Sequence, residues 1–181
     1  MVRTVVEERA IDVPSDVSVN LEGKKITIKG PLGELKKDFS HAPVIIEKIE
    51  NKIAVKSYWA GKIERSMVGT VLAQIENMIK GVKKGFTYKL KIVFSHFPVN
   101  VKVQSNRLVI ENFIGERSPR FAKIIGNTKV IVKGDEISVQ GIDLNEVSQT
   151  AANIESATKI KKKDPRVFLD GIYVFEKKEG I

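Results

Sequence analysis

An internal repeat constrains this chain more than any other feature of its sequence. Displacing the 181 residues by 82 positions, which carries Val17 onto Val99, aligns two stretches without a gap. Val17, Val19, Leu21, Ile26, Ile28, Gly33, Glu34 and Phe39 fall on Val99, Val101, Val103, Leu108, Ile110, Gly115, Glu116 and Phe121. Apolar and polar residues alternate in both copies, the pattern of strands with one buried face. Glu22-Gly23-Lys24 and Gln104-Ser105-Asn106 supply hairpin turns between them. Gly30 falls on Asn112, and both residue types tolerate the positive φ of a tight connection.

Each copy continues with further strands, near 44–49 and 53–58 in the first and near 129–133 and 136–140 in the second. A helix then follows. Ile63, Met67, Val71, Ile75 and Ile79 recur every four residues, with Leu72 and Met78 widening the apolar stripe. Leu144, Val147, Ala151, Ile154 and Ala157 do the same in the second copy, with Asp143 placed to cap the helix. The expected fold is α+β: two tandem repeats of an antiparallel β-sheet with one helix packed on a face. Residues 1–82 form the first repeat, 83–160 the second, and 161–181 a basic C-terminal extension outside the repeat. Phe86, Phe113 and Phe121 take repeat-like positions and are expected in the core.

The formal net charge is +9, which points to a polyanionic partner. Residues 1–76 hold 12 basic and 11 acidic residues, and residues 77–181 hold 19 and 11. Between Asn77 and Ile110 there is no acidic residue. With no cysteine, disulfides and thiolate metal sites are excluded. No apolar run reaches the ~18 residues of a membrane span, and the N-terminus has no apolar signal core. A cytoplasmic protein with no membrane partner is expected.

Catalytic chemistry finds no support. The two histidines, His41 and His96, have no second His at ligand spacing. No phosphate-binding glycine loop or dinucleotide fingerprint is present. Gly30-Pro31-Leu32-Gly33 matches the GXXG loop of some RNA-binding domains, but it lies between alternating strands and reads as a turn. The chain is expected to be no enzyme, with no cofactor, metal or small-molecule substrate.

Two basic clusters stand out. Lys159, Lys161, Lys162, Lys163 and Arg166 surround Asp164, with Pro165 stopping any helix and Phe168 beside them. An extended basic stretch with an aromatic neighbour suits phosphate contact and base packing. Phe168 has a competing role, because 169–174 can fold back as a strand and bury it. Arg117, Arg120 and Lys123 form the second group, around a Ser118-Pro119 turn. Two readings fit it: arginines forked onto phosphates or stacked on a base, and a solvated edge that blocks sheet–sheet pairing. A protein-interaction module using sheet edges is the alternative for the whole chain.

Three stretches carry a family resemblance. Residues 74–82 (Gln-Ile-Glu-Asn-Met-Ile-Lys-Gly-Val) are followed by Gly85-Phe86 and Tyr88-Lys89. His96-Phe97-Pro98-Val99-Asn100-Val101 precedes Asn112-Phe113-Ile114-Gly115-Glu116. Residues 166–174 (Arg-Val-Phe-Leu-Asp-Gly-Ile-Tyr-Val) end near Glu176-Lys177. The chain resembles the large-subunit ribosomal protein L six family in its archaeal and eukaryotic branch; the tyrosine- and glycine-rich C-terminal motif of the bacterial branch is absent. The resemblance covers essentially the whole chain. It implies a duplicated α+β fold and a structural role on the large ribosomal subunit. The implied partners are large-subunit rRNA close to the sarcin–ricin loop and neighbouring ribosomal proteins at the stalk base. In this family the C-terminal half is the more engaged with RNA. Residues after Lys177 are expected to be mobile until RNA is bound.

Overall fold

The computed structural model describes residues 4–161, 163–164 and 167–181. The chain divides into two compact units, Met1–Lys84 and Gly85–Ile181. The break comes after the last turn of the first helix, where Gly85 takes a φ of +75° that ends the helical path.

In the first unit, β1 (Thr4–Asp12), β6 (Lys52–Ala60) and β5 (Ile45–Ile49) form one antiparallel sheet in the order β1-β6-β5. A second sheet holds β2 (Ser18–Glu22), β3 (Lys25–Gly30) and β4 (Gly33–Asp38). Helix α1 (Lys62–Lys83) packs on both. It buries Val68, Val71, Ile75, Met78, Ile79 and Val82 against Ile26, Ile28, Phe39, Ile53 and Val55. Ile63, expected to open the apolar stripe, is 72% exposed, and the buried face of the helix begins at Val68. Gly30-Pro31-Leu32-Gly33 is indeed a turn, joining β3 to β4. The Leu32 amide donates to the Val82 carbonyl at 3.0 Å. A Cβ on Gly30 would lie 2.8–3.0 Å from Val82, so close approach to the helix, not positive φ, selects glycine there.

The second unit repeats this plan and adds to it. Strands β7 (Phe86–Val93), β11 (Lys129–Lys133) and β12 (Glu136–Gly141) form a sheet in the order β11-β12-β7, matching β5-β6-β1. Strands β8 (Asn100–Gln104), β9 (Arg107–Glu111) and β10 (Arg120–Lys123) match β2-β3-β4. Helix α2 (Leu144–Ala157) starts where the Asp143 carboxylate accepts the Asn145 amide at 2.8 Å. The expected antiparallel sheet with one helix on a face thus holds in both units, with the strands divided between two sheets.

Strand register corrects the gapless repeat alignment. Ile28 pairs with Leu35 and Ile26 with Lys37, whereas Ile110 pairs with Arg120 and Leu108 with Ala122. The second copy therefore carries three extra residues before its third strand, in the turn around Phe113–Gly115, where Asn112 takes a φ of +58°. The counterpart of Phe39 is Ile124, not Phe121. Phe39 donates its amide to the Lys24 carbonyl and Ile124 to that of Asn106, both at 3.0 Å, and both side chains are buried. Phe121 instead takes an outward position and is 51% exposed. Phe86 and Phe113 are core residues as expected.

The segment expected as a separate extension is a working part of the second unit. Strand β13 (Gly171–Glu179) pairs antiparallel with β7, on the edge that β1 leaves open in the first unit, and inserts Ile172 into the core. Residues after Lys177, expected to be mobile, remain in register with β7, and the Gly180 amide donates to the Gly85 carbonyl at 2.8 Å.

Candidate nucleic-acid interface

The loop from Lys159 to Asp170 is fastened at both ends. At the start, the Thr158 hydroxyl, buried beneath the end of α2, accepts the Ile172 amide at 3.0 Å. At the far end, Asp170 is 1% exposed and accepts the amides of Ser95 and His96 at 2.7 and 3.2 Å. The His96 ring meets its other oxygen at 2.8 Å. Burial alone would raise the Asp170 pKa, but these donors outweigh it and hold the carboxyl below its ordinary value. Gly171 lets the Tyr173 ring lie across it, since a Cβ would come within 2.8 Å of that ring. Phe168, half-buried, stacks on His96 at 4.8 Å, and the Lys163 ammonium lies 4.3 Å from its ring centroid. The aromatic is thus neither fully core nor a free platform.

Lys159, Lys161 and Lys163 are exposed on this loop, while Lys162 and Arg166 lie outside the described residues. Arg117 and Lys123 are exposed as well. Arg120 differs from the other predicted cations. It stands at the inward position that Leu35 holds in the first unit, with its guanidinium 4.5 Å from the Phe113 ring centroid. Its Nε and Nη2 donate to Glu116 at 2.8 and 2.6 Å. Its Nη1 donates to the Ala157 carbonyl at 2.9 Å, at the end of α2, whose last turn holds no basic residue. The arginine is spent on fixing β10, the Glu116 turn and the helix end to one another.

Two residues that sequence reasoning did not assign to the site, Phe121 and Arg107, stand at its centre. Phe121 and the predicted Lys123 face outward on β10, cross-strand from Val109 and Arg107. The Arg107 guanidinium lies 4.8 Å from the Phe121 ring centroid. Two surface depressions share Phe121 as a wall. One, of about 440 Å³, is lined by Arg120, Ser156, Ala157, Lys159 and Lys161. The other, of about 520 Å³, is lined by Gln104, Ser105, Asn106, Arg107 and Lys123. Asn153 fixes the wall to α2 by donating to the Lys123 carbonyl at 3.0 Å.

Charge totals do not single out this surface. Counted by the folded units, the first holds 15 basic and 11 acidic residues and the second 16 and 11. The contrast across residue 76 disappears because Lys80, Lys83 and Lys84 belong to the first unit. Within the second unit the cations divide by partner. Ion pairs in the second unit engage Lys89, Lys102, Arg120 and Lys178. Arg107, Lys123, Lys159 and Lys161 have no carboxylate partner among the described residues.

Two copies of one α+β unit, the second with a basic, aromatic-centred surface, define a duplicated α+β protein. The sequence model of the family described as Ribosomal protein L6 matches residues 13–85 and 97–171, one segment in each unit. The large ribosomal subunit protein uL6 of Staphylothermus marinus is 54% identical over 170 residues, covering 92% of both chains. Its namesake from Sulfurisphaera tokodaii is 51% identical, covering 92% of this chain and 90% of its own. That from Archaeoglobus fulgidus is 49% identical, covering 96% and 91%. The chain belongs to the ribosomal protein L6 family, in its archaeal branch, a family of structural, non-enzymatic ribosomal components. No described helix is long and apolar enough to cross a membrane.

Proposed function

We propose that this chain is a structural constituent of the large ribosomal subunit in the cytoplasm, and that it grips large-subunit rRNA through the basic surface of its second unit. The observation that carries this reading is the convergence of Arg107, Lys123, Lys159 and Lys161, without carboxylate partners among the described residues, around one exposed aromatic ring. Unpaired cations on a prefixed surface bind phosphates without first breaking an internal salt bridge. Lys163 and Arg117 extend the surface, and Lys162 and Arg166 belong to the same basic segment. Arg120 acts indirectly, by holding the loop and β10 in place.

The finer location follows from the resemblance: rRNA close to the sarcin–ricin loop, and proteins of the stalk base as neighbours. A mixed face on the first unit suits such neighbours: on the side of β1-β6-β5 away from α1, Val6, Tyr58, Ile45 and Ile49 are exposed beside the ion pairs of Lys56 with Glu8 and Glu47 and of Lys52 with Asp12. The function on this reading is support, keeping rRNA helices in a fixed arrangement.

The test is the salt dependence of binding to large-subunit rRNA. Replacing Lys159, Lys161 and Lys163 together by Ala should flatten the slope of log K against log salt by up to ~0.7–0.9 per lost phosphate contact. An unchanged affinity and slope would remove these lysines from the interface. Crosslinking in native lysate checks the location, with RNA reads expected on the sarcin–ricin region and peptide crosslinks expected from stalk-base proteins to the first unit.

A further inference from the structure

We propose that Phe121 is a stacking platform for one unpaired base of the bound RNA, received in the depression between its ring and the end of α2. This deepens the proposed function and rests on it.

Four observations lead there. First, Phe121 is half-exposed at a strand position where the first unit carries Lys36, so the fold does not require an aromatic there. An isolated exposed phenylalanine costs solubility and needs no functional account by itself, but this one is the shared wall of two depressions. Second, the ring has a fixed base and a neighbour on one side: it lies across from Val109, which is only 3% exposed, on a strand tied to α2 through Asn153, with Arg107 against it. A ring ordered beforehand loses little freedom when a base stacks on it. Third, Arg107 lies against the ring and lines only the hairpin-side depression. The other depression, floored by Ser156 and Ala157, leaves the ring available there to a planar ligand. Fourth, Lys159 and Lys161 line that same depression, where the phosphates flanking a stacked nucleotide would lie.

The chemistry selects an unpaired nucleotide over a duplex. A base within a helix has both faces covered by its neighbours, and phenylalanine has no donor or acceptor with which to read its groove edge. An extruded or loop base exposes a π-face that any aromatic can cover, and the interaction tolerates different base identities. Arg107 on the hairpin side adds a guanidinium plane to the same stack and raises its cationic character.

The experiment uses the full chain and purified large-subunit rRNA. Phe121→Leu keeps an apolar cover over Val109 and removes the π-face; Phe121→Tyr keeps the π-face. The expected result is a loss of affinity of roughly 5- to 150-fold in the leucine variant, the range associated with removing one stacking aromatic. Its salt slope should be unchanged, and the tyrosine variant should retain wild-type affinity. Short-wavelength ultraviolet irradiation should yield an RNA–peptide adduct at Phe121. Wild-type affinity in Phe121→Leu, with the slope flattened in the triple lysine variant, would overturn the platform and leave the interface standing. Wild-type behaviour in both sets of variants would remove the interface itself and the platform with it.

Discussion

Arg120→Ala separates a residue that shapes the interface from one that touches RNA. The guanidinium is about three-quarters buried, with its side chain 26% exposed. Truncation removes the two-pronged contact to Glu116, the carbonyl of Ala157 loses its donor, and the Phe113 ring loses its cation. Hydrogen bonds to charged groups contribute about 1.5–3 kcal/mol. A cation over an aromatic ring contributes ~0.5–2 kcal/mol. These terms are not additive, and a net cost of about 2–4 kcal/mol to the second unit follows. For a domain of this size that corresponds to a fall in Tm of roughly 10–20 °C, measured by calorimetry of the full chain. Arg120→Lys should recover little, because an ammonium cannot reproduce the fork. The interaction also has a pH signature. The hydrogen bond from Arg120 holds the Glu116 carboxyl below its ordinary value of 4.5. A depressed folded-state pKa gives stability that is full above the ordinary value and lost as pH falls through the folded one. The difference between wild type and Arg120→Ala should therefore narrow below pH 4.5. RNA binding below the new Tm should keep its salt slope, since no phosphate contact is removed. A flattened slope with an unchanged Tm would refute the reasoning and return Arg120 to the phosphate contacts.

Two further substitutions probe the frame. Gly30→Ala places a Cβ against Val82, including its carbonyl oxygen at 2.9 Å; overpacking of this kind costs about 1–3 kcal/mol, read as a lower denaturant midpoint with an unchanged m-value. Asp170→Asn should destabilise the second unit by ~1–3 kcal/mol at neutral pH, since it weakens charge-assisted bonds to Ser95 and His96. Because the folded-state pKa of Asp170 is lowered, that difference should hold above its ordinary 3.8 and shrink as pH drops below it, which unfolding curves at several pH values would reveal.

Much of the fold was legible because binary patterning is local. Alternation at Val17 to Ile28 and Val99 to Ile110 marked strands, and the stripe through Val71, Ile75 and Ile79 marked a helix. One element escaped: strand β1 mixes Glu7, Glu8 and Arg9 into an edge position, where charge replaces alternation. Strand β13 was legible as a strand near 169–174 but not in its length or its partner, because β7 lies about 80–90 residues earlier and no local window contains both. The site was legible as to charge and illegible as to geometry. Lysines at 159, 161 and 163 announced themselves by composition, but Arg120 and Phe121 exchanged expected roles, the arginine turning inward and the aromatic outward. A slip of three residues caused this, and only the strand register exposes it: had Ile124 been aligned with Phe39, the outward position of Phe121 would have followed from the alternation alone.

Strand β13 also dictates an order of events during synthesis. The first unit has all its strands and its helix once Lys84 has been made, so it can close while the rest of the chain is still being added. The second unit has no such freedom. Its central strand β7 is among the first of its elements to emerge, yet it must wait for β13 to cover its edge. Until then β7 offers a row of unpaired backbone groups, the kind of edge that invites wrong partners. The same delay keeps the loop of Lys159, Lys161 and Lys163 unfastened, because Asp170 and Ile172, which pin its far end, follow the unit's other strands and its helix in the chain. The lysine loop is therefore fastened only after the strands and helix that precede it in the unit have been made.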